Sequence, residues 1–129
     1  MSFEETELLR ERAESFLANA EELAIKGNYD LAAFNLEQYC QLILKYHLLV
    51  KVGTYPRTHS LMSLLRNLST LTSSLKELLF DNKWIIMLTK IEDAYIGLRY
   101  LPRKYEKGEV EEMLKFVKEV FKPAIERIR

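Results

Sequence analysis

Apolar residues recur along this chain at steps of three and four positions, which is the period of an α-helix and not of a β-strand. Only four glycines and three prolines interrupt the pattern. The pattern predicts an all-α fold, an up-down bundle of four to five helices that forms a single domain over residues 1–129. The predicted helices cover residues 3–26, 29–52, 58–69 and 82–101, and a last helix follows Gly108.

Local residue signals place the ends of these helices. Glycine tolerates the left-handed backbone that closes a helix, so Gly27 and Gly53 are expected to end the first and second helices. Thr58 is the predicted N-cap of the third helix, and Pro102 stops the fourth. Residues 71–80 form either a short extra turn of helix or a loop. The second helix is apolar around most of its circumference, which is typical of a helix that packs against several neighbours or a second subunit.

The order of the helices predicts a locally basic end of the bundle. Because short connections join antiparallel neighbours, the end of the second helix, the start of the third and the end of the fourth should meet. This expectation requires that residues 71–80 do not add a full antiparallel helix. The basic and aromatic residues brought together would be Lys45, Lys51, Arg57, His59, Arg99, Tyr100, Arg103 and Lys104.

Composition limits the classes of partner. Lys plus Arg and Asp plus Glu each number 19, so a neutral chain is not expected to bind DNA through its overall charge. One cysteine, Cys40, excludes an internal disulfide, and with only two histidines it excludes a sulfur- or histidine-rich zinc site. No cofactor or metal is predicted. An acidic, amphipathic N-terminus and the lack of a long apolar run predict a cytoplasmic protein without a membrane span.

Four pieces of the sequence, in order, resemble the HEPN domain family, whose name stands for higher eukaryotes and prokaryotes nucleotide-binding. The first is AAFNLEQYCQLILKYHLL, residues 32–49, in which Gln38 precedes Lys45. The second is RTHSL, residues 57–61, similar to the stretch that opens the family's third helix. The third is a tyrosine, three residues, then arginine and tyrosine, here Tyr95, Arg99 and Tyr100. A closing amphipathic helix is the fourth piece.

This resemblance implies one of two functions. Many HEPN proteins are ribonucleases that use an arginine followed after four to six residues by a histidine, often paired across a homodimer. Others lack this histidine and resemble binding partners of a minimal nucleotidyltransferase, as in toxin–antitoxin pairs. Arg99 matches the arginine, whereas the positions expected for histidine hold Lys104, Tyr105 and Glu106. Gln41 and Ser60 also stand where the family commonly has acidic residues.

Metal-independent RNA cleavage needs groups that take and give protons near neutral pH, and histidine suits both steps. Lys104 and Tyr105 ordinarily titrate far above pH 7, so only His59 is a candidate for the missing group. The leading hypothesis is therefore a non-catalytic protein that binds a nucleotide, an RNA phosphate or a protein partner. Its expected phosphate-binding residues are Arg99, Tyr100, Arg103, Lys104, Arg57 and His59.

Two alternatives stay open. In the first, the chain is an endoribonuclease toxin in which Arg99 and His59 act across a homodimer. In the second, it is a structural adaptor that binds a nucleotidyltransferase through its apolar helices. Individual residues also have structural interpretations. Gln38 and Gln41 are expected to satisfy neighbouring polar groups or a dimer partner, and Tyr95 is expected to be core with its hydroxyl at the rim. Tyr100 and Tyr105 are candidates to stack on a base.

Overall fold

A computed structural model describes residues 2–100 and 103–128, without the side chains of residues 98 and 99. Within these residues the predicted all-α bundle is confirmed, and no strand is present. The helices are α1 (Phe3–Ile25), α2 (Tyr29–Val52), α3 (Leu61–Ser69), α4 (Lys76–Phe80), α5 (Asn82–Tyr100), α6 (Lys107–Phe116) and α7 (Lys122–Glu126). A short 3-10 turn (Ser73–Leu75) precedes α4, and a π-helical segment (Val117–Phe121) joins α6 to α7.

Helices α1 and α2 form a hairpin whose bounds agree with the sequence prediction. Ser2 caps α1 by accepting a hydrogen bond from the backbone N–H of Glu5. Gly27 has a φ of 83° in the turn, and Gly53 has a φ of 78° at the end of α2. A side chain would strain this left-handed backbone, so glycine at both positions defines where the helices stop.

Helix α2 is the central helix of the fold. It packs against α1, α3, α5 and α6, so neighbours within one chain cover most of its apolar surface, and Leu31, Val50 and Val52 stay exposed near its ends. The Tyr39 ring is fully buried and lies edge-on to Phe121, with ring centroids 6.0 Å apart. The buried part of α2 therefore needs no second subunit, and the apolar pattern of this helix is not by itself an argument for a dimer.

Helix α3 begins two residues later than its predicted cap implies. Ser60, not Thr58, is its N-cap and accepts from the backbone N–H of Ser63. The hydroxyl of Thr58 instead accepts from the backbone N–H of Ser60 at 3.0 Å and shapes the preceding loop. His59 consequently lies in that loop and not in the first turn of the helix.

The loop from residue 53 to residue 60 folds back along α2. Lys45 Nζ lies 5.3 Å from the centre of the Tyr55 ring. Further along the loop, the side-chain amide of Gln41 donates to the backbone oxygen of His59. Successive loop residues thus meet earlier and earlier residues of α2, and α3 begins beside the middle of that helix.

Helix α5 runs antiparallel to α2, so the predicted meeting of their C-terminal ends is wrong. Glu92 accepts from the backbone N–H of Leu61, at the middle of α2, with 2.5 Å between oxygen and nitrogen. Tyr105, beyond the end of α5, donates its backbone N–H to Asp30 Oδ1 at the start of α2, at 2.7 Å. Residues 73–80 form short helical turns, which is one of the two predicted alternatives. Together with the fold-back of the loop, these turns reverse the direction of α5.

The C-terminal helical segment begins with a capping box in which Glu106 and Glu109 each bond the other's backbone N–H. The π-helical segment ends at Phe121, two residues before Pro123. Because proline has no N–H and its ring crowds the preceding turn, the wider turn lets the chain continue helically. None of the described helices is both long enough and apolar enough to cross a bilayer.

Candidate functional site

A buried carboxylate lies in the middle of α2. Glu37 is 0 % exposed and accepts hydrogen bonds from two side-chain amides. Gln38 donates to its Oε1 at 2.8 Å and Gln41 donates to its Oε2 at 2.9 Å. The predicted structural role of these glutamines is therefore confirmed. Burial raises the pKa of Glu37 to about 7, although the two amides and Lys45 oppose that shift. Glu37, Gln38 and Gln41 are called the Glu37 cluster below.

The Glu37 cluster fixes the position of the loop over residues 53–60. The amide nitrogen of Gln41 donates both to Glu37 and to the backbone oxygen of His59. Its amide oxygen is buried and has no partner among the described residues. Because breaking a bond to a buried polar group leaves it unsatisfied, this junction should hold the loop firmly against α2.

An exposed histidine is stacked on a tyrosine beside this junction. The His59 and Tyr95 rings lie nearly parallel, with an interplanar angle of 18° and centroids 4.5 Å apart. Tyr95 Oη is 3.3 Å from His59 Nε2. Tyr95 was predicted to be core with its hydroxyl at the rim, but it is only half-buried and does not belong to the hydrophobic core. Position 99 follows one helical turn later on α5, but the Arg99 side chain lies outside the described residues.

The N-terminus of α3 is already occupied by a carboxylate. Glu92 Oε1 accepts from the backbone N–H of Leu61 at 2.5 Å and from that of Met62 at 3.4 Å. The first N–H groups of a helix carry partial positive charge and often hold a ligand anion. Here the protein's own carboxylate takes that place, so these N–H groups are not available to a phosphate.

A second charged cluster lies on the segment that follows α5. Arg103 stacks on the Tyr105 ring, with its guanidinium carbon 3.9 Å from the ring centre. Its Nη2 donates to Glu109 Oε2 at 2.9 Å, and Lys90 Nζ lies 3.3 Å from the same oxygen. Burial raises the pKa of Glu109, but its bond from the backbone N–H of Glu106 and the cations of Lys90 and Arg103 bring it below the usual range. Lys90, Arg103, Tyr105 and Glu109 are called the Arg103 cluster.

The Arg103 cluster corrects the expectation that Tyr105 stacks on a base. Tyr105 is only 4 % exposed, and Arg103 covers its ring, so it cannot also stack on a base. Tyr100 is 70 % exposed and stays a candidate. The Arg103 side chain is engaged by Glu109 and Tyr105, and its role in holding phosphate stays a prediction.

Helix α5 separates the two clusters. The closest side-chain neighbours of Gly97 are Tyr105 and Arg103. Gly97 is two residues after Tyr95, which is about 200° around a helix of 3.6 residues per turn. The Arg103 cluster thus packs on the face of α5 opposite to Tyr95 and His59. The predicted grouping of Arg103 with His59 in one basic end is wrong, because α5 runs antiparallel to α2.

The remaining predicted cations divide between these two sides. Lys104 is exposed beside the start of α2, where it borders a pocket of about 390 Å³ with Asn28 and Asp30. Asp30 and Gln41 are roughly 16 Å apart along α2, at 1.5 Å per residue. Arg57 is exposed in the loop that carries His59. Lys45, whose Nζ lies over the Tyr55 ring of the same loop, is on the side of Arg57 and His59 as well.

Other reactive groups in the described part of the chain are poorly suited to chemistry. Cys40 is fully buried, and burial raises the pKa of its thiol well above the ordinary value, which disfavours the nucleophilic thiolate. Over residues 2–100 and 103–128, no three side chains of the metal-ligating types are grouped so that they could hold a metal ion.

Two carboxylates in this region were not predicted to matter. The sequence could have indicated the role of Glu37, because this residue lies four positions before Gln41 on a largely apolar helix. Such a pair shares one helix face. Glu92 had none, because its role depends on a contact with α3 that is 31 residues away in sequence.

A family model described as the HEPN domain matches residues 6–128 of this chain. The matched range includes both the loop that carries His59 and the whole of α5. A comparison with curated proteins finds no match.

Proposed function

Because the chain belongs to the HEPN domain family, we propose that it binds a nucleotide, or the phosphate and base of an RNA, without cleaving it. One observation carries this proposal. The RTHSL stretch and the stretch from Tyr95 to Tyr100 are far apart in sequence, yet His59 stacks on Tyr95, one helical turn before position 99. Two separate parts of the family resemblance therefore lie side by side on the surface.

The positions of the cations indicate which of them would bind the phosphate. In this proposal Arg99 holds the phosphate, as the family resemblance implies, and Arg57 assists from the adjacent loop. An arginine suits this role because its planar fork can bond two phosphate oxygens at once. Arg103 and Lys104 are not part of the site, since they lie on the opposite face of α5 or at the start of α2.

The proposal that this chain does not cleave RNA rests on the number and position of its histidines. The chain has two histidines, and neither occupies positions 104 to 106 after Arg99. His47 is half-buried, and burial, with Lys51 nearby, lowers its pKa to about 4. A histidine of this kind is neutral at pH 7 and is not available as a general acid. His59 is the one exposed histidine, so the alternative ribonuclease would depend on it.

The test combines a cleavage assay on single-stranded RNA with a nucleotide titration of the same samples. Four proteins are compared: the wild type, Arg99→Ala, His59→Ala and the control Arg12→Ala, which removes an exposed arginine on α1. We expect no cleavage by any of them, and saturable binding that Arg99→Ala loses and Arg12→Ala keeps. Cleavage by the wild type that both Arg99→Ala and His59→Ala abolish would establish the ribonuclease instead.

We also propose that a second protein chain packs on α5. Ile86, Ile96 and Tyr100 are 68 %, 52 % and 70 % exposed and lie within roughly an 80° arc of the helix. Such a stripe supports the predicted homodimer, and a minimal nucleotidyltransferase is the other partner that the family implies. Sedimentation equilibrium should show a dimer that Ile96→Glu dissociates. A wild-type monomer at assay concentrations would rule out the dimer.

A further inference from the structure

The His59 ring is exposed, yet its position is restrained from several directions. Gln41 holds its backbone oxygen, and the hydroxyl of Thr58 accepts from the next backbone N–H. Tyr95 covers one face of the ring in a nearly parallel stack at 4.5 Å. Since one face is covered and the residue is still exposed, the accessible surface comes from the opposite face and the edge. A flat, pre-positioned ring is thus presented to solvent.

The surroundings of this ring disfavour a second anion. Glu92 neutralises the N-terminus of α3 directly beside it. The carboxylate of Glu37 lies behind it, one side chain away through Gln41. A phosphate placed against His59 would meet the Glu92 carboxylate and, above about pH 7, the ionised Glu37 carboxylate, whereas an uncharged aromatic ring would meet no such repulsion. The chemistry of this position therefore favours a nucleobase over a phosphate.

We propose that the open face of His59, backed by Tyr95, is a stacking platform for a nucleobase. The base would extend the existing two-ring stack by a third ring. Stacking needs only a flat π-surface, so the platform would accept different bases and would suit single-stranded RNA or a free nucleotide. This inference rests on the proposed nucleotide-binding function and adds to it a separate subsite, distinct from the phosphate-binding arginines.

A nuclear magnetic resonance titration tests the platform with three probes: adenosine monophosphate, adenosine and ribose 5-phosphate. The chain contains only two histidines, so their ring protons can be followed individually. A base stacked on His59 should move its ring protons upfield through the ring current of the base. We expect this shift with the first two probes and not with ribose 5-phosphate. His47, half-buried on α2, is the internal control and should not move.

Two substitutions separate the ring surface from the ring nitrogens. His59→Ala should weaken the binding of adenosine monophosphate by roughly 5- to 100-fold, the range found for removal of one stacking aromatic. His59→Phe should retain the affinity within a few fold, because phenylalanine keeps the flat face. Neither change should alter the affinity for ribose 5-phosphate. Circular dichroism melting checks that both variants fold as the wild type does.

Equal affinity for adenosine monophosphate and ribose 5-phosphate, with no shift at His59, would overturn the platform and leave the phosphate-binding function intact. Failure of all three probes to bind would overturn the platform and the nucleotide-binding function together. RNA cleavage that is abolished in His59→Phe would also overturn the platform, because that result would require a titrating nitrogen at this position.

Discussion

The carboxyl groups on the two sides of α5, Glu37 and Glu109, have pKa values that are shifted in opposite directions. On one face, Glu37 is buried among neutral amides, and burial raises its pKa to about 7. On the other face, Glu109 is partly exposed between Arg103 and Lys90, and its pKa is lowered. Ionisation of Glu37 therefore lowers the stability of the folded protein, whereas ionisation of Glu109 raises it. Only the first is connected to the loop that presents His59.

This difference indicates where a ligand can bind. Cations that already have a carboxylate partner, such as Arg103, must lose that bond before they can hold a phosphate. Arg57 lies on the other face and has no partner of this kind among the described residues. The basic residues of the chain are thus not equivalent, although their sequence positions suggest a single patch. Four substitutions test this comparison.

The largest expected effect is on the pH dependence of stability in Glu37→Gln. A carboxyl whose folded pKa of about 7 exceeds its unfolded value of 4.5 binds more protons when folded. Taken alone, its ionisation therefore contributes a loss of roughly 3 kcal/mol in the free energy of unfolding as pH rises from about 4.5 to 7. Urea unfolding across this range should show that the stability of Glu37→Gln rises relative to that of the wild type as pH rises. An unchanged pH profile would mean that Glu37 is not buried as described.

His47 provides the matched control for that measurement, because its contribution has the opposite sign. Its folded pKa of about 4 lies below the ordinary 6.5, so stability is lost as pH falls from about 6.5 to 4. In the wild type the two contributions offset each other over most of this range. The stability of His47→Gln should therefore fall as pH rises, because only Glu37 contributes. The stability of Glu37→Gln should rise with pH, because only His47 contributes.

Gln41→Leu should have the next largest effect. It removes the amide that bonds both Glu37 and the backbone oxygen of His59, and it leaves two buried acceptors without that donor. We expect a loss of about 1–3 kcal/mol in the free energy of unfolding. Amide hydrogen exchange in residues 57–60 should also become faster.

The exposed amide of Asn67 serves as the control for Gln41, since it bonds only the backbone oxygen of Ser63 among the contacts described. Asn67→Leu should change stability by about 0.5 kcal/mol or less and leave the exchange of residues 57–60 as it is. Similar effects of the two substitutions would show that the Glu37 cluster does not hold the loop.

Glu109→Gln should have a smaller effect, with a different dependence on solution conditions. Partly exposed ion pairs contribute about 0–1 kcal/mol and are screened by salt. The decrease in the free energy of unfolding should therefore be below about 1 kcal/mol in dilute buffer and smaller still at high salt. The exposed pair of Lys107 and Glu111, at 3.8 Å, offers Glu111→Gln as a control with a still smaller loss. An effect of Glu109→Gln that is as large as that of Gln41→Leu would contradict the distinction between the two faces.

The parts of this structure that sequence predicts are those decided by local interactions. The bounds of α1 and α2 follow from apolar periodicity and from glycines that adopt a positive φ. The cap of α3 was predicted two residues too early, because Thr58 and Ser60 are both able to cap a helix. The choice between them depends on contacts made by Gln41 and Glu92, which the local sequence does not contain.

The candidate site shows the same division. The pairing of Gln38 and Gln41 with polar neighbours was predictable from their spacing on an apolar helix. The direction of α5 was not, because it follows from the loop folding back over Lys45 and Gln41. That direction moves Arg103 away from His59. Sequence order therefore predicted the family and the pairing of His59 with α5, but not which cations accompany them.

The smallest expected effect is also the most direct test of the comparison. Arg103→Ala should leave the affinity for adenosine monophosphate unchanged within about twofold, because this guanidinium already bonds Glu109 and covers Tyr105. Arg57→Ala, on the face with His59, should weaken the same binding, and the two are compared in one titration at fixed ionic strength. If Arg103→Ala weakened binding as much as Arg57→Ala, the ligand would contact both faces of α5. The separation of the phosphate-binding cations from the Arg103 cluster would then be wrong.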